Sequence, residues 1–141
     1  PAPGVPLISP EATQVIKTRE LSVNVYANQG WQDTGIQVSS GDVLAINDIS
    51  GFWSPWPNYL LDSRGCTDPV VCSQDTSQPA NVSPVARHAA LIGRIGNTEP
   101  FVVENSEFIE VKTSGKVLFR INDLSIEDNS GALTIKMQIA P

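Results

Sequence analysis

Near the end of the chain Leu133, Ile135, Met137 and Ile139 alternate with Thr134, Lys136 and Gln138. A period of two places successive side chains on opposite faces of an extended strand, so this segment reads as a strand with one face in a core and one in water. The pattern recurs upstream. Leu21, Val23 and Val25 face one way, and Ser22, Asn24 and Tyr26 the other. Residues 34–38, 43–47, 101–103, 108–112 and 117–121 are further short extended runs, and 88–95 holds the near-continuous apolar stretch of a central strand. Turn chemistry separates them: Ser39-Ser40-Gly41-Asp42, Gly96-Asn97, Asn105-Ser106 and Ser114-Gly115. Eight or nine short strands and no helical period predict an all-β domain of two packed antiparallel sheets.

Length and composition agree. A chain of 141 residues has the size of one domain and can bury a core without metal or disulfide staples. Only 17% of residues are charged, and long helices would need more Ala, Leu, Glu and Lys. Residues 1–12 read as a stiff Pro-rich linker and 13–141 as a single β-sandwich domain, which is the expectation for a mature form or an excised module. The net charge of −6, with no cluster of Lys or Arg, repels phosphate backbones and anionic lipid, so neither nucleic acid nor a membrane is an expected partner. No apolar run approaches the roughly 20 residues that span a bilayer. Cys66 and Cys72 lie in a Gly-, Pro- and Asp-rich stretch, where a disulfide closing a small ring is expected over two free thiols. That favours an exported protein, secreted or at the cell surface.

The chemistry concentrates between the last two strands, in Asn122-Asp123-Leu124-Ser125-Ile126-Glu127-Asp128-Asn129-Ser130-Gly131. Asp123, Glu127 and Asp128 bring three carboxylates together with no Lys or Arg between them, and Asn122 and Asn129 add amide oxygens. Like charges so close need a counter-charge. Calcium takes six to eight oxygen ligands from such groups, from backbone carbonyls and from water. The expected donors are the Asp123, Asp128 and Asn129 side chains with a backbone carbonyl from Ser125, Ile126 or Glu127. The spacing is not that of an EF-hand. From the residues alone, a solvated turn closed by Asx hydrogen bonds is an equal reading.

Residues 51–86 form a long loop carrying the aromatic run Phe52-Trp53-Ser54-Pro55-Trp56-Pro57-Asn58-Tyr59. Exposed rings at Trp53, Trp56 or Tyr59 would suit the apolar C–H face of a sugar, although large aromatics are more often core. Phe52 reads as core, and Trp31 as packing beneath a turn. His88, the single histidine, sits at a strand end and is a candidate sugar contact. No nucleophile motif, phosphate loop or zinc motif is present, and the clustered carboxylates suit metal better than the paired acids of a glycosidase. The chain reads as a binding module, not an enzyme.

Four pieces resemble the PA-IL-type calcium-dependent galactophilic lectins of bacteria. They are Gly41-Asp42-Val43; Ser50-Gly51-Phe52-Trp53; Leu91-Ile92-Gly93-Arg94-Ile95-Gly96-Asn97; and Asn122-Asp123 followed by Asn129-Ser130-Gly131. The resemblance covers roughly residues 20–139. It implies a β-sandwich of jelly-roll type with one apical calcium ion that coordinates two neighbouring sugar hydroxyls. Carried over, Asp123 matches the aspartate ligand, Asp128 and Asn129 match two consecutive asparagines, Ser125 or Ile126 supplies a carbonyl, and a second carbonyl comes from near Ser54, Pro55 or Trp56. The sugar-facing set is then Trp53, Trp56, Tyr59, His88, Asp123 and Asp128. This chain departs in a loop about two residues shorter, in Asp128 standing for an asparagine, and in lacking a His-Pro-x-Gln segment. The expected function is calcium-dependent binding of galactose or a related sugar. The alternative is a structural or adhesive sandwich that calcium only rigidifies. A single weak site would call for homo-oligomerisation or for placement in a larger multidomain protein.

Overall fold

A computed structural model describes residues 18–73 and 81–141. The Pro-rich linker expected over residues 1–12 lies outside them. Among the described residues eight strands form: β1 Arg19–Tyr26, β2 Gln32–Val38, β3 Val43–Ser54, β4 Leu91–Ile95, β5 Phe101–Val102, β6 Glu107–Glu110, β7 Gly115–Ile121 and β8 Ser130–Ala140. They build two four-stranded sheets of order β1-β8-β3-β6 and β2-β7-β4-β5, with every pairing antiparallel. The two antiparallel sheets are those expected from the alternation, and their strand order is that of a jelly roll, as the resemblance implies. In the last strand Leu133, Ile135, Met137 and Ile139 are buried, as their period requires. They pack with Leu44, Ile46, Val117, Phe119 and Ile121 in the core between the sheets.

Two expectations are corrected. The strand expected over 43–47 runs on to Ser54, paired with β8 along its whole length. Its register shifts between Ile46, opposite Met137, and Asp48, opposite Lys136, leaving Asn47 as an extra residue. A bulge of this kind reverses which side chains face inward. Leu44 and Ile46 point into the core before it, and Trp53 after it. Trp53 is therefore fully buried, with its indole N–H donated to the Ala89 carbonyl at 2.9 Å, and it offers no face to a sugar. Phe52, expected in the core, points outward and is 60% exposed. Phe52→Thr is expected to change stability by no more than about 0.5 kcal/mol in urea denaturation, because most of the residue is in water in the folded as in the unfolded chain.

The second correction concerns helix. A short helix, α1 (Pro69–Ser73), interrupts the long loop. Asp68 caps it, its Oδ1 accepting the N–H groups of Val70 and Val71 at 3.0 and 3.3 Å, with Pro69 at the first position where a missing N–H costs nothing. Cys66 and Cys72 are joined in a disulfide that ties this turn to the loop before it. Among the described residues no helix is long and apolar enough to cross a membrane.

Candidate functional site

One end of the sandwich gathers the β1–β2 turn, the loop after β3, the segment before β4 and the acidic loop between β7 and β8. Two hydrogen bonds extend the β4–β7 ladder past the strand end: Ala89 N–H to the Asn122 carbonyl (2.9 Å) and Asn122 N–H to the Ala90 carbonyl (2.8 Å). The Asn122 side chain turns away from the carboxylates. Its Oδ1 accepts the Ser83 N–H (2.8 Å), and its Nδ2 donates to the carbonyls of Ser83, Ala86 and Arg87 at 3.0 to 3.1 Å. The amide oxygen grouped by sequence with the ligand oxygens is thus committed to holding residues 83–87.

Asp123 follows and is buried at 2% exposure. Its Oδ1 accepts the Ser125 N–H (3.0 Å) in an Asx turn, and its carbonyl accepts Arg120 Nη2 (2.8 Å). Its Oδ2 lies 4.0 Å from His88 Nε2. Burial pushes the Asp123 carboxyl above its ordinary range, against the opposing pull of the Asn129 amide, the His88 ring and the Ser125 N–H, and the neighbouring Asp128 charge pushes the same way as burial. Asp128 itself is exposed. Asn129 is buried; its Nδ2 donates to the Ala27 carbonyl (3.0 Å), but its Oδ1 is shut away from water and takes no hydrogen bond. A buried acceptor without a donor is rare in a native fold and suits a site that receives a water or an ion. The Ile126 side chain packs against the core, and its carbonyl accepts the Asn129 N–H (3.1 Å), which closes the loop. Ser125 is exposed.

This donor set fits a hard cation. Asp123 carries a charge that burial penalises, Asn129 an oxygen that nothing meets, and Asp128 a second carboxylate close enough to repel the first. Among the described residues no three His, Cys, Asp or Glu side chains converge on a metal position. Any ion held here would draw on amide and carbonyl oxygens besides the two aspartates, which is calcium-type rather than zinc-type ligation.

The aromatic loop reaches the same end. Pro55 is buried and Trp56 half-buried. Trp56 stacks on Tyr59, with ring centroids 4.8 Å apart and planes 6° from parallel, and on His88 at 6.1 Å and 14°. Asn81, whose Oδ1 lies 2.7 Å from His88 Nδ1, orients the imidazole so that Nε2 faces Asp123. Of the residues named from sequence, Trp56, Tyr59, His88, Asp123, Asp128 and Asn129 therefore share one apex, and Trp53 lies beneath it in the core. Gly65 makes the approach possible. It has φ +77°, and a Cβ there would fall 2.5 Å from the Ala90 nitrogen and 2.6 Å from the His88 carbonyl, so no other residue lets the loop lie on 88–90.

Two contributors were not anticipated. Asn81, in a long polar loop, had no pattern to mark it. Arg120 did: a cation in an otherwise apolar strand needs a reason. Its Nε donates to the Ile121 carbonyl (2.9 Å) and its Nη2 to that of Asp123, so it clamps the base of the acidic loop.

No protein-family model and no curated protein matches the chain. Among solved structures it is similar to one described as the EclA N-terminal domain, a PllA-like lectin. The two share 20% identity over 84% of this chain and 93% of that one, with a TM-score of 0.61. The likeness at that identity is one of fold, and the jelly-roll sandwich described above is a lectin-like fold.

Proposed function

We propose that this chain is a calcium-dependent carbohydrate-binding module. The observation that carries the reading is the orphaned Oδ1 of Asn129, buried beside the desolvated carboxyl of Asp123. Asp123, Asp128 and Asn129 would hold the ion, with a carbonyl from Ser125 or Ile126 and one from Pro55 or Trp56. Because the Ile126 carbonyl already receives the Asn129 N–H, Ser125 is the better backbone donor. When bound, calcium supplies open positions for two adjacent hydroxyls of a sugar such as galactose. The exposed Asp128 carboxylate accepts hydrogen bonds from those hydroxyls, and charge assistance makes such bonds directional. Trp56 and Tyr59 offer an aromatic surface for the C–H face. The lectin-like fold supports the reading, and the cystine suits an oxidising, extracellular setting.

Thermal melts in EDTA, in calcium, and in calcium with galactose or other sugars test it. Calcium is expected to raise Tm and one sugar to raise it further. A calcium response without any sugar response leaves a rigidified structural module, and no calcium response ends the proposal. Trp56→Ala is expected to weaken sugar binding about tenfold, the worth of an aromatic stack of ~1.5 kcal/mol, while the calcium-induced rise in Tm persists. Isothermal titration with the calcium-loaded protein reads this; equal sugar affinity in the variant would remove Trp56 from the site.

A further inference from the structure

On the outer side of the β2–β7–β4–β5 sheet, beside the apex, two guanidinium groups share one indole. Arg94 on β4 lies 4.7 Å from the Trp31 ring centroid and Arg120 on β7 lies 5.8 Å from it. Arg120 is 8% exposed, and its Nη1 packs where any side chain at Gly30 would stand, 3.3 Å from a Cβ placed there. Among the described residues neither arginine is ion-paired with a carboxylate; the carboxylates that are paired belong to Asp33, Asp62, Glu110 and the Asp123–His88 contact. Arg94 Nε is shut from water with no acceptor. Arg120 spends two of its N–H groups on the Ile121 and Asp123 carbonyls, so the free donors of this pair belong mainly to Arg94.

Two cations are costly to bring together on one hydrophobic ring without an anion. The ring interaction attracts each cation, worth about as much as one weak contact, and does nothing for the repulsion between them. An oxyanion seated on the fork of half-buried Arg94 would supply the missing counter-charge to both arginines and use the planar geometry that carboxylates and sulfates match. The chain as a whole carries a net charge of −6, so two guanidinium groups sharing one ring without a carboxylate partner stand out against its balance.

We propose that Arg94 and Arg120, braced on Trp31, form an oxyanion subsite that takes the carboxylate or sulfate substituent of an acidic glycan. This deepens the carbohydrate-binding reading and rests on it for the glycan. The link is physical: Arg120 Nη2 is bonded to the carbonyl of Asp123, so the subsite touches one of the residues proposed to hold calcium. Arg94 binds the anion, and Arg120 is a positioning residue that also contributes charge.

The test uses NMR titration of the whole chain with galactose, galacturonate, galactose 6-sulfate and inorganic sulfate, each in calcium and in EDTA. In calcium, the acidic sugars are expected to bind on the order of tenfold tighter than galactose, the worth of one charge-assisted hydrogen bond. Arg94→Gln should bring them down to the affinity of galactose and leave galactose unchanged. Lys116→Gln, which removes an exposed cation paired with Asp33, changes the net charge equally and should leave the advantage intact. Acidic sugars binding no tighter than galactose, or an advantage that survives Arg94→Gln, overturns the subsite and leaves calcium-dependent sugar binding standing. Should no sugar bind in calcium, the apex reading fails instead. The subsite is then decided by sulfate in EDTA: a saturating shift of the Trp31 indole N–H that Arg94→Gln abolishes supports it, and no shift overturns it.

Discussion

Calcium is expected to raise the Tm of the parent chain and to leave that of Asp123→Asn nearly unmoved, while in EDTA at neutral pH the variant is expected to melt no lower than the parent. Both halves follow from one carboxyl. Asp123 is buried, and burial lifts its folded pKa above the ordinary carboxyl range. A carboxyl raised in this way favours its neutral form in the fold. The stability it contributes is present in full below the unfolded pKa and is lost as pH rises through the folded one. At neutral pH the metal-free parent therefore carries an ionised group that the fold disfavours. Asparagine keeps the acceptor for the Ser125 N–H without that charge. The cation reverses the balance, because it binds the ionised form alone. Losing one of the two carboxylates is expected to weaken calcium about a hundredfold or more, since ligand charge sets affinity in such sites. Protons compete for the same oxygens, so in the parent the calcium-induced rise should shrink as pH falls through the raised Asp123 value. Melts across that range, in EDTA and in calcium, measure all three effects. A variant that responds to calcium as the parent does would place the ion elsewhere.

The strands were readable because each alternates, and alternation has one structural meaning wherever a face is buried. It failed at one residue. Asn47 is an extra residue on β3, and nothing in Ile46-Asn47-Asp48-Ile49 distinguishes a bulge from the end of a strand. Past it the inward phase reverses, which put Trp53 in the core and Phe52 in water, opposite to the sequence expectation. The apex was legible in kind. Clustered carboxylates and amides marked the loop, and the structure sets Asp123 beside Asn129 there. Which asparagine served which purpose was not legible, because Asn122 and Asn129 have the same side chain and differ only in what the fold places opposite each. Trp56 and His88, 32 positions apart in the chain, meet because Gly65 lets the loop lie on residues 88–90. A contact of that range leaves no periodic trace.

The two asparagines accordingly separate by mutation. Asn122→Asp is expected to destabilise the fold by about 3–5 kcal/mol at neutral pH, a large share of the stability of a domain this size. Asn122 Nδ2 faces the carbonyls of Ser83, Ala86 and Arg87, and a carboxylate there sets oxygen against oxygen with no water to screen it. Only the bond from the Ser83 N–H survives. The new carboxyl would be raised in the fold, so acid should restore part of the loss: its proton can be donated to one of the three carbonyls, and that gain disappears as pH rises through the raised value. Asn129→Ala removes an acceptor that is already unmet and one bond to the Ala27 carbonyl. Its cost is expected near 1 kcal/mol, the worth of one hydrogen bond, together with loss of the calcium response. Urea denaturation of both variants, at acid and neutral pH, reads the difference directly. If the two substitutions cost the same, Asn122 does not anchor residues 83–87. Because those residues lead directly into His88, a loosened segment would also release the imidazole from Trp56 and Asp123, so the stability of this buried amide and the shape of the proposed binding surface are one physical question.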